Sequence, residues 1–101
     1  MYTDNAGFEW DDRKARRNSL KHGVGFKEAT TVLLDPDALI ADDLEHSSRE
    51  PRQRVLGESA SGRVLVVIFC SRPGPTMRIV SARAASWEER QGYEENRRIS
   101  F

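Results

Sequence analysis

Several things are scarce in this chain of 101 residues. It holds one cysteine, Cys70, so no internal disulfide can form and no cysteine cluster can bind a metal. Two histidines far apart give no zinc spacing, and Gly23-Val24-Gly25 is not followed by the G-K-[ST] of a phosphate loop. No apolar run is long enough to cross a membrane, and Met1 to Trp10 is too polar for a secretory signal, so a cytoplasmic location is expected. Beyond Lys27 there is no lysine at all. Formal net charge is zero, which by itself counts against a protein held to nucleic acid by charge alone.

The charges are unevenly spread. From Glu28 to Glu50 lie seven acids and one arginine, Arg49. Before that stretch six bases outnumber four acids, and after it nine arginines face five acids. Arginine is the cation suited to bidentate contact with phosphate or carboxylate, so a neutral chain can still present a basic surface.

The length fits one domain over residues 1–101 with a modest core. Phe8 and Trp10 share one face of a short strand over 7–10. Asp11 or Asp12 then caps a helix to about His22, with Gly23 as its left-handed stop. Its apolar content is thin, only Ala15 and Leu20, which predicts a surface helix; Arg13, Arg17 and Lys21 recur every four residues as a basic stripe. A second helix spans roughly Phe26 to Leu34 and ends at Asp35-Pro36-Asp37. Strands are predicted at Leu39–Leu44, Gln53–Glu58, Arg63–Ser71 and Thr76–Ala82, the last three as an antiparallel meander. "VLVVIF" is apolar on both faces and marks the central strand. Ser86 and Glu89 form an S-x-x-E capping box for a closing helix. The fold class is α+β, with helices against a mainly antiparallel sheet of four to five strands.

Taken in order, "FEWDDRKARRNSLKHGVGFKEA", "DPDAL", "EHSSREPRQRVLGES", "GRVLVVIF" and "RIVSARAASWEERQGYEE" resemble the BrnT family of toxins from Phe8 to Glu95. The resemblance implies a RelE-like fold and a metal-independent ribonuclease, without cofactor, that arrests translation. It also implies a BrnA-like antitoxin as partner, through which alone DNA would be contacted. Cys70 stands where that family more usually has threonine, and Trp87 where a polar residue is more frequent.

Such a reaction needs a base for the ribose 2′-hydroxyl, an acid for the departing 5′-oxygen and cations for the phosphate. Arg78 and Arg83 are the first candidates for the phosphate. Strict alternation puts them on opposite faces of their strand, so a bulge or twist after Ser81 would be needed to unite them. His46 and Glu50 are candidates for proton transfer; a solvated acidic loop explains them equally well. Tyr93 could stack a base or move a proton, or simply pack the last helix. Arg17, Lys21 and His22 could follow an RNA backbone, although a cation at a helix C-terminus also serves the helix itself. Arg63, at one end of the central strand, is a further RNA-binding candidate. The alternatives to a nuclease are a catalytically inactive module of the same fold that binds a protein, or one that binds RNA without cutting it.

Overall fold

The computed structural model describes residues 2–5 (backbone only), 7–44, 50–71 and 76–99. Six strands among them form one sheet: β1 (Tyr2–Asn5), β2 (Phe8–Asp11), β3 (Leu39–Asp42), β4 (Arg52–Glu58), β5 (Val64–Ser71) and β6 (Met77–Ala84). Their order across the sheet is β1-β2-β6-β5-β4-β3. The predicted meander is present, with β5 central in its ladder to β4 and β6. Two features go beyond expectation. The polar stretch at 2–5 adds a strand antiparallel to β2, and β2 joins β6 in parallel, through Phe8 opposite Met77 and Glu9 opposite Arg78.

Helix α1 (Asp12–His22) starts where the side chain of Asp11 accepts from the amides of Arg13 and Lys14, at 2.8 and 3.3 Å. It stops at Gly23, whose φ of 68° suits a residue without a Cβ. Helix α2 (Phe26–Thr30) is shorter than predicted, because the chain tightens into a 3-10 turn over Thr31–Leu34 ahead of Pro36. Helix α3 (Trp87–Ile99) opens on the predicted capping box: Glu89 N–H donates to Ser86 Oγ, and Ser86 N–H to Glu89 Oε1, at 3.1 and 2.7 Å.

The core lies between the sheet and the layer of α1, α2 and the 3-10 turn. Leu65, Val67 and Phe69 of β5 meet Trp10, Val24, Phe26, Ala29, Val32, Val55, Ile79 and Ala82 there. Trp10 and Phe26 stack edge to face at 6.1 Å. The thin apolar content of α1 has a specific remedy, since its buried residue is polar. Asn18 donates from Nδ2 to the carbonyls of Val24 (3.0 Å) and Ala82 (2.8 Å), and its Oδ1 accepts from Ala82 N–H (3.1 Å). Leu20, by contrast, is 89% exposed.

Helix α3 takes the opposite side of the sheet. Gly57 faces Val32 in the helix layer, where an added methyl would lie 3.1 Å from the Val32 carbonyl oxygen. Alternation therefore sends Leu56 and Glu58 to the second face. There Glu58 pairs with Arg97 of α3 at 3.4 Å. Covering that end of the second face explains why Val64 and Val66 are buried as well as Leu65 and Val67.

Candidate active site

On β6 the residues facing the core are Ile79 and Ala82, three positions apart, which an even alternation cannot produce. The ladder shows why. Ile68 pairs with Ser81 but Phe69 pairs with Ile79, so Val80 is an extra residue and β6 bulges there. The bulge resets the alternation between the two arginines: Arg78 opposite Cys70 and Arg83 opposite Val66 stand on the same face, away from the core.

Strand β4 adds two more. Arg52 pairs with Cys70 and Arg54 with Ile68, on that same face. Two arginines on β4 and two on β6 thus flank an apolar strip of Val66, Ile68 and Cys70, at a backbone separation of roughly 10 Å, two strand spacings. A cleft of about 250 Å³ opens over the strip, lined by Asp43, Arg52, Arg54, Val66, Ile68, Val80, Ser81 and Arg83. Neither Arg52 nor Arg54 was singled out from the sequence. Their signal is the alternation R-x-R before Val55, which places both on the face opposite a core residue.

Two acids, Glu89 and Glu9, are tied to the arginines of this face. Arg83 makes a two-pronged contact with Glu89 of α3, at 2.7 and 3.0 Å. That contact holds the Glu89 carboxyl down at about 2, with the Ser86 amide helping. Arg78 lies 3.3 Å from Glu9 on the neighbouring strand. Asp43, buried, gives its N–H to the Arg52 carbonyl at 2.8 Å. Arg54 is exposed and makes no hydrogen bond or ion pair among the described residues.

The other predicted residues are dispersed. Glu50, half-buried, sits two residues ahead of Arg52, the first residue of β4. His46 lies outside the described residues. Tyr93 is fully buried, and its hydroxyl donates to Asp35, which also accepts from the amides of Asp37 (2.9 Å) and Glu58 (2.8 Å). Burial and the Asp35 carboxylate push the phenol well above its ordinary value. The structure thus makes Tyr93 the anchor of α3 and does not bring it to the arginines.

Arg63 is engaged elsewhere, donating to both Glu28 oxygens (2.7 and 2.8 Å) and to the Gly23 carbonyl (2.9 Å). Glu28 also accepts from Ser59 and Ser61, and its carboxyl is held at about 2, chiefly by Arg63. Arg17, Lys21 and His22 are exposed on α1, in the layer on the far side of the sheet from the cleft. They form a separate surface.

Among the described residues, no helix is long and apolar enough to cross a membrane. No curated protein matches the chain. Among solved structures it is similar to the Brucella abortus ribonuclease toxin BrnT, at 25% identity and a TM-score of 0.59, over 76% of this chain and 92% of that one. Residues 10–89 match the family model described as "Ribonuclease toxin, BrnT, of type II toxin-antitoxin system". An α+β sheet with a cleft of arginines, this similarity and a family match over most of its length agree: the chain belongs to the BrnT family of ribonuclease toxins of type II toxin–antitoxin systems.

Proposed function

We propose that the cleft on the second face of the sheet binds the scissile phosphate of RNA, and that cleavage there needs no metal and arrests translation in the cytoplasm. The observation that carries this is the bulge at Val80, which sets Arg78 and Arg83 on one face with Arg52 and Arg54. Guanidinium groups offset the charge that builds on the phosphate as the 2′-hydroxyl attacks phosphorus and the 5′-oxygen departs. The base that takes the hydroxyl proton and the acid that protonates the leaving oxygen are drawn from Glu50 and His46, in the segment leading into β4.

The family implies an antitoxin partner. We take it to be BrnA-like, with contact to DNA made only by the antitoxin. An acidic antitoxin segment laid in the cleft would compete with RNA for the same arginines.

The test is cleavage of a defined RNA in EDTA by the native protein and by an Arg78→Ala/Arg83→Ala variant shown to be folded. Cutting by the native protein alone, abolished by a 2′-deoxy substitution at the cut position, supports the reading. Equal cutting by both proteins would move the site elsewhere.

A further inference from the structure

The cleft leaves the largest block of uncommitted charge unused. Arg13, Lys14, Arg16, Arg17 and Lys21 on α1, with Lys27 just beyond it, are all exposed, and their side chains form no hydrogen bond or ion pair among the described residues. The single acid on the helix is Asp12, in its first turn.

The arrangement around Leu20 is specific. At 100° per residue Leu20 points about 160° away from the buried Asn18, and Arg13, Arg16 and Arg17 all lie within about 60° of it. Leu20, 89% exposed, is therefore the apex of the outward face, with the three arginines beside it along a helix of 11 residues. Together these four line a shallow groove of about 410 Å³.

Two properties choose the occupant. A protein that buried Leu20 would have to strip water from at least three guanidinium groups and match them with as many acids, at high desolvation cost. A phosphate backbone supplies regularly spaced charge and leaves the arginines hydrated. Moreover, the outer face of α1 carries no aromatic side chain on which unpaired bases could stack, as single-strand readers require, since His22 lies about 160° around the helix from Leu20. The wide, shallow minor groove of an RNA duplex, edged by phosphates and ribose hydroxyls, accepts a helix ridge with an apolar apex.

We propose that the outer face of α1 docks double-helical RNA through its phosphates, independently of sequence, while the cleft on the far side of the sheet works on an unpaired segment. This rests on the ribonuclease reading for its purpose but not for its binding energy. It gives the toxin a hold on structured RNA that the cleft cannot provide.

The experiment is equilibrium binding of a 20-base-pair RNA duplex between 50 and 200 mM salt. An Arg16→Gln/Arg17→Gln/Lys21→Gln variant keeps good helix formers at exposed positions, so its thermal midpoint serves as the folding control. The expected result is weaker binding and a salt slope shallower by about 2 to 3, close to one unit per cation removed. The Arg78→Ala/Arg83→Ala variant should keep the native slope, whether or not the cleft is catalytic. An α1 variant with native affinity and slope would overturn the proposal. So would an equal loss in the cleft variant, which would put the duplex in the cleft.

Discussion

Asn18 does for Ala82 what a neighbouring strand would do. Strand β2 pairs with β6 only as far as Glu9 opposite Arg78, so further along β6 no strand among the described residues lies beside that backbone edge. The Asn18 side chain carries the same donor and acceptor as a peptide group, and it both gives to the Ala82 carbonyl and accepts from the Ala82 amide. A third bond, to the Val24 carbonyl, fastens the turn after α1. One amide thus seals a sheet edge and docks a helix that has little apolar surface with which to dock itself.

Replacing Asn18 with leucine should therefore destabilise the protein despite the gain in apolarity. The Ala82 amide and carbonyl would be left buried and unpaired, at a cost of about 1 to 3 kcal/mol for each group so stranded. Urea denaturation of Asn18→Leu should show a lower midpoint with an unchanged m-value. An unchanged midpoint would mean that water reaches the β6 edge.

Much of the fold can be read from local chemistry. Asp11, Gly23 and the Ser86–Glu89 box act on their own neighbours, and the run Val64 to Phe69 can only be a strand buried on both faces. What could not be read depends on pairing. The polar stretch 2–5 has no alternation and becomes a strand only because β2 lies beside it. The bulge at Val80 is a property of the register between β5 and β6, not of Val80 itself. Without it, Arg78 and Arg83 diverge on paper, and the cleft with Arg52 and Arg54 stays hidden. The same holds for Arg63, whose engagement by Glu28 spans 35 positions of sequence.

Acid should unfold the protein over a definable range. Glu28 and Glu89 are held at about 2 from an ordinary 4.5, chiefly by Arg63 and Arg83 respectively. Asp35 is also lowered, since hydrogen bonds from Tyr93 and two amides outweigh its burial. A carboxyl whose folded pKa lies below its unfolded one contributes stability that is complete above the unfolded value and is lost as pH falls toward the folded one. The thermal midpoint should thus fall between pH 4.5 and 2, and Glu28→Gln should both lower it at pH 7 and flatten that fall. An unaltered acid limb in Glu28→Gln would show that the pair with Arg63 contributes nothing.

Tyr93→Phe separates an anchor from a catalyst. Loss of the hydroxyl removes one of the hydrogen bonds at Asp35, and with it about 1 kcal/mol of stability. The ring, fully buried, stays in place. The rate of RNA cleavage at saturating substrate should be unchanged at a temperature where both proteins are folded. A fall of tenfold or more in kcat with native stability would assign the hydroxyl to the chemistry instead.

Arg54 and Arg63 make opposite demands on the molecule, and substituting each should show it. Arg54 is exposed and uncommitted among the described residues, so its removal costs the fold little, within about 0.5 kcal/mol. If it meets RNA in the cleft, Arg54→Ala forfeits a charge-assisted contact of about 1.5 to 3 kcal/mol, which is roughly a tenfold to hundredfold rise in KM or in the dissociation constant for a short RNA. Arg63→Ala should do the reverse. It strands Glu28 beside Ser59 and Ser61 and frees the Gly23 carbonyl, lowering the thermal midpoint while leaving RNA affinity at its native value once folding is matched. Thermal melts and binding measured on the same two preparations decide the matter. If Arg54→Ala binds RNA normally and Arg63→Ala does not, the nucleic acid lies along the Gly23 end of the sheet and not over Ile68.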